Sequence, residues 1–220
     1  NYTEEQLYEI VKRAHGDGFS LAVHGNGDAA IDLVLRVYER VLKENPRDDH
    51  RHRIEHCSVG HPEQYTKMKE LGVSPTYLSG HIRWWGKAFR DNLLGPDRIK
   101  YYDAAAKAIE LGIPFSMHSD YSVTPLGPLR CVQDMVTRVM ADGGEVFAPE
   151  QRIPVEQALK GVTTHAAWQL HMDDIAGSLA TGKYADLAIL EDDPTSVDPM
   201  QIEKIAVSET WLEGEKQNTN

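Results

Sequence analysis

The chain has 220 residues, 41% of them hydrophobic, with 34 acidic against 23 basic side chains and a formal charge of −11. That apolar content suffices for a real core, and the scattered basic residues leave no positive footprint for nucleic acid or an anionic membrane. No apolar run approaches the roughly 20 residues of a membrane span.

The opening NYTEEQLYEI lacks the charged and apolar regions of a signal peptide, so a cytoplasmic location is expected. A start without Met suggests a cut-out or processed piece. The two cysteines, Cys57 and Cys131, stand far apart and form neither a disulfide framework nor a C-x-x-C metal knuckle. Ten histidines are the unusual component.

Thr3 ahead of Leu7, Ile10, Val11 and Ala14 predicts an N-capped helix that Gly16–Gly18 ends. Ser20–Val23 is an apolar run of strand length that finishes on His24. A tight turn, Gly25-Asn26-Gly27, then leads into a helix from about Asp28 to Lys43. After a polar break at 45–49, His52–Cys57 reads as a second strand and Pro62–Leu71 as a helix closed by Gly72. A weaker strand at 73–76 leads into a long segment with His81, Trp84 and Trp85. A helix over Tyr101–Leu111 and a fourth strand, Ile113–Asp120, follow. The pattern is helical from Pro125 to about Met140 and from Pro154 to about Leu170. Short strands at 186–190, 205–207 and 210–212 lack intervening helices and belong to a small β layer. Four βα units imply a parallel sheet, either small and open or part of a barrel whose complete form needs about eight.

Three of these units deliver a metal-capable group at a strand's C-terminal end: His24, His56 and Asp120. Such tips lie on one face of a parallel sheet and converge on one mouth, and imidazole with carboxylate suits zinc and similar ions. The turn Gly25-x-Gly27-x-x-Ala30 also matches a dinucleotide fingerprint. Against that reading, an imidazole precedes the first glycine and the expected acidic residue has only Asp48, Asp49 and Glu55 as candidates. His81, with Trp84 and Trp85, either contacts substrate at the mouth or packs a long loop. His118 shares the strand face of Asp120 and is either in the site or a core histidine. Asp28 is either a helix cap or a hydrogen-bond partner of a ligand histidine. His15, His50, His52, His61, His165 and His171 show no converging spacing and are expected to be structural or solvated. Cys57 should face the helix layer.

The segments HGNGDAA around His24, RIEHC around His56, HSDYSVTPLGPL around Asp120 and GSLATGKYADLAIL over 177–190 resemble the amidohydrolase superfamily, in particular its YtcJ-like, amidohydrolase-3 branch. The likeness runs from about Thr3 to Gly214. It implies the C-terminal half of a (β/α)8 TIM barrel, strands five to eight, over 1–175, followed by short strands of a small β-sandwich domain over 176–220. It further implies hydrolysis of an amide or other C–N bond with a divalent metal, most plausibly zinc. His24 and His56 match metal ligands. Asp120 matches a ligand that is also the general base, and His81 falls at a substrate contact, with Trp84 beside it. A small-molecule substrate is implied. The family's first-strand His-x-His pair and its carboxylated lysine have no counterpart here, and His118 stands where glycine is usual. The expectation is therefore an incomplete metal site, an inactive isolated piece and self-association or pairing with an N-terminal half. A non-catalytic scaffold of the same fold is the alternative.

Overall fold

A computed structural model describes residues 2–218. Four parallel strands, β1 (Ala22–Gly25), β2 (Arg53–His56), β3 (Ser74–Leu78) and β4 (Ser116–His118), lie side by side in chain order. Their connections carry α1 (Glu4–Gly16), α2 (Asp28–Glu44), α3 (Pro62–Leu71), α4 (Gly80–Ala88), the short α5 (Gly95–Arg98) and α6 (Ala105–Glu110). After β4 come α7 (Pro128–Thr137), α8 (Val155–Gly161) and α9 (Thr164–Gln169). An antiparallel sheet of β5 (Leu187–Leu190), β6 (Val207–Leu212) and β7 (Glu215–Lys216) completes the described chain. No helix among the described residues is long and apolar enough to cross a membrane.

Local chemistry explains most boundaries. Thr3 and Gln6 form a reciprocal cap on α1: the Gln6 N–H donates to Thr3 Oγ1 and the Thr3 N–H to Gln6 Oε1. Gly72 closes α3 in the left-handed region at φ 69°. The segment expected to be a long loop after β3 is instead helical, from α4 through a π-helical turn at Phe89–Leu94 to α5. Its buried contacts come from Gly80, Ile82 and Gly86, too few and too small for single-residue propensities to reveal the helix. The helix expected over Tyr101–Leu111 shortens to α6, and the helical stretch after Pro154 divides into α8 and α9. The two short strands expected at 205–207 and 210–212 are one, β6, preceded by a 3₁₀ turn at Pro199–Lys204.

The sheet register decides which side chains share a face. Val23 pairs with Ile54, and both point to the helix layer with Ile31, Val34, Leu35 and Tyr38. Gly25 sits over the same layer, where a Cβ would come within 2.9 Å of Ile54 Cγ2. A packing constraint therefore accounts for this glycine of the G-x-G-x-x-A turn. On the opposite face stand Ala22 and His24 of β1, Arg53 and Glu55 of β2, Ser74 and Thr76 of β3, and Ser116 and His118 of β4. This face is polar and cross-linked. Glu55 accepts from Arg53 Nε at 2.5 Å and from the Thr76 hydroxyl at 2.6 Å. Burial alone would raise the Glu55 carboxyl, but Thr76 and Arg53 outweigh it and hold it below its usual range. At the lower end the α9 side chain of Gln169 donates to Ser74 Oγ and to the Pro75 carbonyl and accepts from the Ser116 hydroxyl.

Three histidines that the sequence offers no role for stitch the strand entrances to the helices. The Leu21 N–H donates to His52 Nδ1, which leaves the His52 Nε2 hydrogen to bond His15 Nδ1 at 2.8 Å. His15 Nε2 in turn reaches the Asn45 carbonyl. His50 Nδ1 accepts from the His52 N–H, and its Nε2 reaches the Leu71 carbonyl. Every ring nitrogen is satisfied, and only in the neutral form.

Two expectations follow. Burial, then the His50 and His15 rings, push His52 down to about 3 from 6.5. Above pH 6.5 His52 is neutral folded or unfolded and stability is flat. Below it the unfolded ring takes a proton that the folded ring refuses, at a cost of about 1.4 kcal/mol per pH unit. Urea unfolding between pH 7.5 and 5 should show this fall beginning near pH 6.5, and a flat profile contradicts it. Thr76→Val leaves one Glu55 oxygen without its hydroxyl partner and should cost about 1–3 kcal/mol in the same assay.

Candidate functional site

The strand tips carry the chemistry. His24 is the last side chain of β1 before Gly25, exposed on the polar face. By register its neighbour on β2 is Glu55, and alternation would send His56 to the helix side with Ile54. The backbone breaks that alternation. His56 and Cys57 adopt φ of 71° and 48°, and this left-handed step swings the His56 ring back beside His24, with centroids 4.5 Å apart at 71°. Non-glycine residues in this region cost about 1–3 kcal/mol each, and they persist where the surroundings over-determine them. The same step turns Cys57 into the helix layer, where it is fully buried, and the chain that follows is held by the Val59 N–H donating to the Asn26 carbonyl and the Asp103 N–H donating to the Ser58 carbonyl.

His118, at the end of β4, lies on the other side of His56 with ring centroids 4.9 Å apart. It therefore belongs to the cluster and not to a separate core. Asp120, two residues on, is exposed at φ 49° and stands within electrostatic reach of His56, His118 and His81. Burial, then the neighbouring His24 ring, lower His56 below its ordinary value, with Asp120 and Glu55 pulling back. Burial, then His56, do the same to His118. His81 is pushed down to about 4 by burial and by the two neighbouring imidazoles. The shifts of His56, His81 and His118 all favour the uncharged imidazole, the form that binds metal.

Two ring nitrogens in the cluster, His56 Nδ1 and His118 Nε2, are sealed from solvent and have no hydrogen-bond partner. Buried polar atoms are rarely left so. An orphaned nitrogen beside a second imidazole fits a divalent ion of the zinc type as part of its donor set. The set is not complete: among the described residues no group of three or more His, Cys, Asp or Glu is disposed to hold a metal ion.

The remaining expected residues divide. His81 opens α4 and stacks edge-on with Trp85 at 5.3 Å. Trp84 points elsewhere and lines a groove with Met140, Ala141 and Met200. Of the two tryptophans expected beside His81, Trp85, four residues on, meets the ring. Asp28 is the first residue of α2, whose cap is Gly27. Its carboxylate accepts from the Ala29 N–H at 2.9 Å and from Arg98 at 2.7 Å, and among the described residues it hydrogen-bonds no histidine. Glu55 was missed. The signal was available, because it shares strand parity with Arg53 and register with His24.

A model of the amidohydrolase family matches residues 1–216. The chain is 26% identical over 217 residues to an N-substituted formamide deformylase of Arthrobacter pascens, covering 97% of this chain and 39% of that protein. It is 27% identical over 220 residues to the putative amidohydrolase YtcJ of Bacillus subtilis, covering 97% and 40%. Among solved structures, an uncharacterized metal-dependent hydrolase from Pyrococcus furiosus superposes with a TM-score of 0.74 at 25% identity, over 89% of this chain and 38% of that one. The chain thus spans about two-fifths of the length of the curated relatives it matches. Strands, order of motifs and a family match over nearly all residues agree, and the chain belongs to the amidohydrolase family.

Proposed function

We propose that this chain supplies the later half of a (β/α)8 barrel, residues 1–175, with residues 176–220 contributing strands to a small β domain, and that the whole is a metal-dependent hydrolase of amide or related C–N bonds. The observation that carries the reading is the His24–His56 pair with its sealed, unpartnered nitrogen. Four parallel strands in simple order, with β1 and β4 as free edges and an exposed polar face on β1, support the barrel. The likeness to a protein named as a deformylase of N-substituted formamides supports a C–N bond and a small-molecule substrate.

His24 and His56 would hold the ion, which we take to be zinc. Bound there, it would lower the pKa of a water and polarise a carbonyl oxygen. Asp120, exposed at the mouth, accepts a proton from the attacking water and returns it to the leaving nitrogen. His81, with Trp85 beside it, offers a neutral donor and an apolar wall to the substrate. With fewer than three clustered donors, the chain alone binds zinc weakly and is inactive. The free edges of its sheet fit pairing with the missing strands or with another copy. Two unpaired buried cysteines favour the cytoplasm. The incomplete donor set also leaves room for a second reading, a non-catalytic member of the fold.

An assay separates the two. Extended upstream by its natural sequence, the protein should hydrolyse N-substituted formamides or a related amide, and Asp120→Asn should reduce kcat by about 10²–10⁴. Hydrolysis that survives Asp120→Asn would remove the general base, and an extended protein with no metal-dependent turnover would favour the scaffold.

A further inference from the structure

Tyr102 is buried at 1% exposure, and its hydroxyl lies 3.0 Å from His81 Nδ1. Its position leaves little freedom. The backbone bridges Val59, its carbonyl accepts from Arg138 Nη2 at 2.7 Å, and the ring is boxed by Phe89 at 5.3 Å and Phe147 at 5.2 Å. His81 is held in the same way, between Trp85 at 5.3 Å and Phe89 at 5.6 Å.

The direction of this hydrogen bond follows from what each arrangement leaves behind. A neutral imidazole has one donor and one acceptor nitrogen. If Nδ1 donated to the phenol, the Tyr102 hydrogen would be stranded in the core. The neighbouring Ser58 hydroxyl has no partner in hydrogen-bond geometry. If the phenol donates, its buried hydrogen is satisfied, and the His81 hydrogen must sit on Nε2. His81 Nε2 has no protein partner among the described residues, and it is not one of the sealed polar atoms, unlike the nitrogens of His56 and His118. It is therefore the open end of a ring that lies within electrostatic reach of His56, His118 and Asp120.

We propose that Tyr102 is a positioning residue that locks His81 in the Nε2–H tautomer, so that His81 presents an uncharged N–H donor at the mouth. On the hydrolase reading above, that donor would take the substrate's carbonyl oxygen. The lock has a second effect: a nitrogen that already carries its hydrogen cannot take a proton, so His81 is a donor only, and Asp120 is left as the base.

Long-range proton–nitrogen correlation spectra of the 220-residue chain with labelled histidine test the lock directly. The wild type should show His81 as the Nε2–H form, with Nδ1 as acceptor. Tyr102→Phe keeps the ring packing and removes only the hydroxyl, so the tautomer ratio should fall by about tenfold, the weight of one ordinary hydrogen bond. His15, His50 and His52 signals that stay in place show that the variant is folded; should it not fold, the wild-type spectrum decides. A wild-type Nδ1–H form, an even mixture or a ratio unmoved by Tyr102→Phe overturns the proposal. Where the extended enzyme is active, Tyr102→Phe should lower kcat and leave KM nearly unchanged. A protein with the tautomer as stated but no turnover overturns the hydrolase reading and leaves the Tyr102 lock standing.

Discussion

The site depends on one backbone event, the left-handed step at His56 and Cys57. Parallel register alone aligns His24 with Glu55 and Gly25 with His56, and would bury the second imidazole among the helices. The step reverses that outcome and sets the two rings edge to face, 4.5 Å apart. It is affordable because Cys57 fits the core without exposure and the chain beyond is pinned to Asn26 and Asp103. Local strain at a functional position, held by its surroundings, is the pattern such sites show.

Around that pair the histidines separate into two populations. At the strand exits His24, His56, His81 and His118 are close together, and two of them hold nitrogens that nothing in the described chain satisfies. At the strand entrances His15, His50 and His52 are buried more deeply, and each nitrogen has its partner. Burial keeps rings in both groups neutral. Unfilled hydrogen-bonding capacity is what distinguishes the first group from the second, and it is the ground on which we propose the first as a binding site.

Much of this could be read from the residues. Apolar runs ending in His24, His56 and Asp120 gave the sheet, its common exit face and the family resemblance, and a match over residues 1–216 bears the family out. What escaped reading depends on atoms distant in sequence. The entrance cluster draws partners from Leu21, Asn45 and Leu71, so no spacing rule could reveal it. Tyr102 reaches His81 across 21 residues and a π-helical turn that nothing in the local composition announces. Trp84 and Trp85 could not be told apart in sequence, because positions three and four residues on both neighbour His81 on a helix and only the packing separates them. Asp28 was ambiguous between cap and partner, and no spacing rule points to Arg98, 70 residues away, which engages the carboxylate.

The most direct test of the central claim, that His24 and His56 form part of one metal site, is zinc titration of the 220-residue chain followed through its histidine ring signals. His24 and His56 should move first and together, and His24→Ala should abolish the shift at His56, while His15, His50 and His52 stay unmoved. Zinc that perturbs other histidines and leaves this pair untouched, or a His56 response that survives His24→Ala, would contradict the account.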